Sequence, residues 1–145
     1  MSVPEIIRRS FILLSGVLAA CAAVPEQQDT LYLRLGGGAH ITQIVNETID
    51  LSSKNPRASR SFDGVNLSRT KASAAAHLCA ISGEPCKYAG ENMTMAHTGL
   101  RISSTEFDVM DGYLEAALDR HNIDGVTKHE LQRLLAPMKA EIVGK

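Results

Sequence analysis

Tryptophan is absent from this 145-residue chain, and aromatic residues of all kinds make up 4% of it. A core so poor in large rings has to be filled by aliphatic side chains or by a cofactor. A surplus of basic charge is missing too: 15 Lys and Arg stand against 16 Asp and Glu, for a net charge of −1. That leaves no cationic footprint for nucleic acid. No internal repeat or low-complexity block occurs, and period-two strand patterning is weak. The longest apolar run falls short of the roughly 20 residues that span a membrane.

That run lies at the start of the chain. Arg8 and Arg9 precede Phe11-Ile-Leu-Leu-Ser-Gly-Val-Leu-Ala-Ala20, which ends at Cys21. A charged start, a short apolar stretch and small residues before a cut describe a bacterial signal peptide over residues 1–20. Leu18-Ala-Ala-Cys21 resembles the lipobox of bacterial lipoproteins, which implies acylation of Cys21 and a periplasmic, membrane-anchored location, at the outer membrane. Residues 21–30 read as a polar tether, and residues 31–145 as one domain of ordinary size. Losing residues 1–20 removes two arginines and one glutamate, so the net charge moves from −1 to −2.

Cysteine is scarce. Besides Cys21 there are Cys79 and Cys86, seven residues apart. Export would place them in an oxidising compartment, where this spacing fits a bridge from a helix end to the following loop. Two free thiols are the alternative, decided by the Cα separation.

What the chain does have is helical periodicity. Ile41, Ile44, Val45 and Ile49 recur at three- and four-residue spacing, predicting an amphipathic helix over residues 39–53. Gly36-Gly-Gly38 separates it from the short apolar stretch Leu31–Leu35, and Pro56 marks a turn. Asn66 can cap an alanine-rich helix running to about Ile81, with Gly83 as its terminator. Ser103-Ser-Thr-Glu106 and Thr127-Lys-His-Glu130 both fit a capping box. The first opens a stripe through Phe107, Met110, Leu114, Ala117 and Leu118, and the second a stripe through Leu131, Leu134, Leu135, Met138 and Ile142. The domain is expected to be all-α.

Between the two groups of helices lies Gly83-Glu-Pro-Cys-Lys-Tyr-Ala-Gly90, in which two glycines and a proline forbid regular helix. A long irregular segment inside a helical domain is usually functional. It ends at Asn92, a helix cap, and His97, which shares a helix face with Met93. An imidazole on a short helix backed by a loop suits an axial ligand of haem iron. His40, His121 and His129 have no such setting and read as ordinary surface or core histidines.

Here a family resemblance becomes specific. Leu35-Gly-Gly37, Phe62-Asp-Gly64, the series Gly83, Pro85, Tyr88, Gly90, Met93 and His97, and then Phe107 and Leu114 resemble the group 1 truncated haemoglobins, in order and spacing, over nearly all of residues 31–145. The resemblance implies a two-over-two helical sandwich around haem, with His97 as the proximal iron ligand. It implies that Phe62 packs on the haem face, that Tyr88 and Met93 line its edge and proximal side, and that Thr70, Lys71 and Phe107 also contact it. No Cys-x-x-Cys-His occurs, so the haem would be non-covalent haem b. The other face of the iron would stay open to a diatomic gas such as O2, NO or CO. NO dioxygenase or peroxidase-like turnover would require an electron donor as a further partner.

The distal positions depart from the family pattern. Where strong O2 binders carry Phe-Tyr, this chain has Thr48 and Ile49, and the other distal positions fall on Thr70 and Ala74. The resemblance therefore implies fast O2 release unless Thr70 or Thr48 donates a hydrogen bond. His77 shares a face with Thr70 and Ala74, as a pocket donor, a sixth ligand or an edge residue.

Other functions remain to be weighed. Met93, Met95 and His97, near Cys86, carry soft donors for Cu(I), although on a helix Met95 points away from the other two. Residues 119–130 have a calcium-loop outline, but Ile123 sits at a ligand position. A haem-free lipoprotein interaction module is the third alternative.

Overall fold

The computed structural model describes residues 29–83 and 86–145; the signal-peptide and lipidation expectations, and most of the tether, lie outside the described residues. Among the described residues every regular element is helical: α1 Leu31–Arg34, α2 Gly37–Lys54, a 3-10 turn Ser59–Phe62, α3 Leu67–Ile81, α4 Met93–His97, α5 Ser104–Arg120, α6 Gly125–Leu135 and α7 Met138–Ile142. None of these helices is long and apolar enough to cross a membrane.

The organising helix is α2, which packs against both α3 and α5. Its buried positions are Ile41, Ile44, Val45, Thr48, Ile49 and Ser52, a single stripe at helical spacing. Ile41, Ile44 and Ile49 are completely buried, together with Leu35 and Leu131. Each such side chain contributes about 1.5–3 kcal/mol of apolar burial. Thr48 and Ser52 lie on the same stripe without cost in unpaired groups, because their hydroxyls donate to the carbonyls of Ile44 (2.8 Å) and Thr48 (2.7 Å).

The helix starts follow cap chemistry, with informative exceptions. Asn66 accepts from the Arg69 N–H at 3.0 Å and opens α3, and Asn92 accepts from the Met95 N–H at 2.9 Å and opens α4. Ser103 and Glu106 form both halves of the capping box of α5. The box expected at Thr127 does not form. Asp124, three residues earlier, takes the cap, accepting from the N–H groups of Val126 (2.9 Å) and Thr127 (3.0 Å). A carboxylate completes the positive end of a helix better than a hydroxyl does. Thr127 is thereby drawn inside the first turn, fully buried. The last predicted helix is also two: Pro137 breaks it, and α7 turns back onto α4. The tail is held there by Arg101 N–H donating to Lys145 O (2.7 Å) and Gly144 N–H donating to Ile102 O (2.9 Å).

In the structure Cys79 and Cys86 are joined, with Cα atoms 5.7 Å apart, tying the end of α3 to the irregular segment beyond it. This separation lies inside the range a disulfide spans without moving the backbone. Asp119 pairs with Lys128, and Asp124 is spent on its cap, so the calcium-loop outline is ordinary helix-end chemistry.

Candidate functional site

The helices enclose a largely apolar cavity of about 540 Å³. Val45, Thr48 and Ile49 face it from α2, and Phe62 from the 3-10 turn. From α3 come Thr70, Ser73, Ala74 and His77, the inner face of that helix. Tyr88, Met93 and His97 line it from the irregular segment and α4, and Phe107, Met110 and Leu114 from α5. Phe107, Met110 and Leu114 therefore belong to the cavity wall, which is why they are less completely buried than the core.

His97 is held by its own helix. Its Nδ1 lies 2.7 Å from the carbonyl of Met93, one turn earlier. A carbonyl can only accept, so Nδ1 carries the hydrogen, and Nε2 is left with a free lone pair on a side chain that lines the cavity. Tyr88 is fixed from three sides. Its hydroxyl donates to Glu91 O at 2.9 Å, a Cβ at residue 90 would overlap its ring, so a larger residue there would displace the ring, and its ring meets that of His77 edge-on at 4.8 Å. Burial pushes the His77 imidazole below its ordinary 6.5, partly offset by Glu141, so the ring facing the cavity is neutral at neutral pH.

Two threonine hydroxyls of the wall are committed elsewhere. Thr48 gives its hydrogen to Ile44 O, and Thr70 Oγ1 donates to Asn66 O at 3.1 Å. Both remain acceptors toward the cavity, and neither has a hydrogen to spare.

Lys71 does not belong to the wall. Its ammonium pairs with Asp50 of α2 at 2.6 Å, because residue 71 lies a third of a turn round α3 from Thr70. The cation that does line the cavity is Arg69, four residues before Ser73 on the inner face. That periodicity, extended back one turn from Ser73 and His77, was the available signal. Met138 and Ile142 reach the cavity through the fold-back at Pro137, which no local pattern announces. Met95 is 58% exposed and does not line the cavity, so the three soft donors of the copper reading do not converge.

An ionic network of buried Glu106 and exposed Arg60 braces the rim. Glu106 is 7% exposed. It accepts from Arg60 Nη2 (2.6 Å), Ser103 N–H (2.8 Å) and Ser103 Oγ (2.8 Å). The Arg60 guanidinium holds its carboxyl down at about 2. Arg60 also donates to Leu100 O (3.2 Å) and Arg101 O (3.0 Å). It thereby ties the turn bearing Phe62 to the segment that follows His97.

Helices folded around an apolar cavity, with the His97 imidazole presenting a bare Nε2 into it, define a protein of globin type. Comparison with known proteins gives the family: residues 30–143 match the bacterial-like globins, and the chain belongs to that family. It is 28% identical over 118 residues to a group 1 truncated hemoglobin of Nostoc sp. (strain MUN 8820), covering 81% of this chain and 99% of that protein. It is 29% identical over 121 residues to the one from Nostoc commune, with the same coverage. The structure superposes on the crystal structure of truncated hemoglobin from Tetrahymena pyriformis in its Fe(III) form with a TM-score of 0.75 at 23% identity, covering 80% of this chain and 99% of that one. The fold is the truncated-globin two-over-two sandwich, and the family implies haem iron as cofactor. The residues present fit that group: an apolar cavity, the His97 imidazole with its lone pair free, and Arg69 in the lining as a counter-charge for carboxylates.

Proposed function

We propose that this protein binds haem b through His97 and holds a diatomic gas, O2, NO or CO, beside the wall formed by α2 and α3. The observation that carries the reading is the Met93 carbonyl 2.7 Å from His97 Nδ1, which commits that nitrogen and leaves Nε2 as a ligand. When bound, haem supplies an iron with one coordination position for this imidazole and a second for the gas. The protein's part is to orient the imidazole, to exclude water with an apolar lining and to set how firmly the gas is held.

On that last point the side chains are specific. A ligand that develops negative charge is held by a donated hydrogen, worth about 1.5–3 kcal/mol. Thr48 and Thr70 have given theirs to backbone carbonyls, and Ile49 has none. O2 should therefore leave quickly unless Ser73 or His77 of the same wall donates in their place, while NO and CO depend less on that donor. The absorption spectrum of the reduced protein, with and without CO, tests the haem reading. A Soret band that shifts with CO, and is lost in His97→Ala, is expected; a spectrum unchanged by His97→Ala would overturn it.

The location is proposed on the N-terminal motif: Cys21 acylated after removal of residues 1–20, residues 21–30 as tether, and the domain of residues 31–145 on the periplasmic side of a membrane, the outer one. The mass of the mature protein, with its membrane release in Cys21→Ala, tests this. Turnover of NO or peroxide would draw on an electron-donor partner, to be sought by supplying reductants to the haem-loaded protein.

A further inference from the structure

Away from the cavity, the first turn of α2 and the end of α5 bring together side chains that gas binding does not use. His40 Nε2 and His121 Nδ1 face each other at 2.8 Å, their rings 4.7 Å apart and inclined by 66°. The other nitrogen of His121, Nε2, lies 3.3 Å from Glu47 Oε2. Arg120 Nε donates to the second oxygen of Glu47 at 2.5 Å. Glu47 stands seven residues after His40, two turns along the same face of α2. His40 also depends on a glycine: a Cβ at Gly36, whose φ is +86°, would overlap His40 Nδ1. Both imidazoles are half-buried and within reach of solvent.

We propose that His40 and His121 form a second metal site, independent of haem, for a borderline divalent transition ion of the Zn²⁺, Cu²⁺ or Ni²⁺ class. The Glu47 carboxylate, 3.3 Å from His121 Nε2, favours the hydrogen on that nitrogen by its charge, and Nδ1 then presents a lone pair to His40. A carboxylate behind an imidazole in this way fixes its tautomer and raises its basicity as a metal ligand. Arg120 in turn holds the carboxylate. Two ring nitrogens in contact must share something electron-poor, a hydrogen or a metal ion. With metal–nitrogen distances of about 2.0–2.1 Å, a tetrahedral ion needs the nitrogens roughly 3.3 Å apart, a few tenths of an ångström of movement for each ring. On metal binding the hydrogen now between the rings moves to His40 Nδ1, which frees Nε2 to ligate. Imidazole ligands favour this class of ion over Ca²⁺ or Mg²⁺. Among the described residues no three His, Cys, Asp or Glu side chains are placed to hold a metal ion together, so water would complete the coordination.

The site would clip α2 to α5, the helices that carry Ile49 and Phe107 into the cavity. An ion that binds the folded state alone raises its stability with concentration. The test is calorimetric titration of the unmodified protein with ZnCl2 and CuCl2, with electron paramagnetic resonance of the Cu²⁺ form. One equivalent per chain is expected, with two nitrogen couplings on Cu²⁺ and a zinc-dependent rise in Tm. His40→Gln and His121→Gln should abolish uptake, and Glu47→Gln should weaken it about 10- to 100-fold. His97→Ala should keep it, which separates this site from the haem reading. Absence of uptake, uptake surviving in both histidine variants, or loss in His97→Ala would overturn the proposal, leaving the pair with a shared hydrogen alone.

Discussion

The wall of the cavity that carries His97 and the wall built by α2 and α3 are made by different rules. The His97 wall is a matter of local chemistry. A side-chain cap at Asn92, a carbonyl one turn back at Met93, a glycine under Tyr88 and a bond from Cys79 to Cys86 each act over a few residues. The α2–α3 wall is a matter of periodicity. Thr48 and Ile49 face inward because α2 buries one stripe, and Thr70, Ala74 and His77 line the cavity from the half-buried face of α3 beside its buried stripe of Ala75, Leu78 and Cys79. The first arrangement specifies one imidazole tightly. The second offers positions that accept any side chain of suitable size, and that is where gas preference can vary while the fold stays the same.

The contrast can be tested by substitution. The largest effect should come from restoring a donor to the periodic wall: Ile49→Tyr should slow O2 dissociation about 10- to 150-fold, by stopped-flow on the reduced protein. Cys79→Ser with Cys86→Ser removes the tether of the local wall and should lower unfolding stability by about 2–3 kcal/mol, read in a denaturant titration. Asn92→Ala should cost about 1 kcal/mol and raise hydrogen exchange at the Ala96 and His97 amides. Acid should act through Glu106. Its folded carboxyl sits at about 2, well below its unfolded value, so its contribution is present above pH 4.5 and lost as pH falls toward 2. Glu106→Gln should flatten the stability profile over that interval. The smallest effect belongs to Thr70→Val: its hydroxyl already serves Asn66 O, so O2 release should change by less than about two-fold, and a larger change would show that the hydroxyl turns toward the gas.

Much of this was legible before any coordinates. The stripe Ile41–Ile49, the caps Asn66 and Asn92 and the box at Ser103 name their elements, because each is a signal contained within one or two helical turns. His97 stood out because an irregular segment led to it. What stayed hidden depends on contacts between distant residues. Lys71 and Arg69 are two residues apart and both cationic; helical register with Ser73 and His77 pointed to Arg69, while the pairing of Lys71 with Asp50 on another helix was not visible. Thr127 and Asp124 are both good caps, and the first one the chain reaches captured the helix end. The two threonine hydroxyls could be proposed as donors from sequence, but not seen to be occupied.

The fold-back at Pro137 bears on how the protein should be handled. The terminal carbonyl of Lys145 pairs with Arg101 N–H, four residues beyond His97, and α7 lies on α4. A purification tag or fusion partner joined at Lys145 would pull on the segment that follows His97. Cofactor retention measured on such a fusion would then report the attachment as much as the pocket.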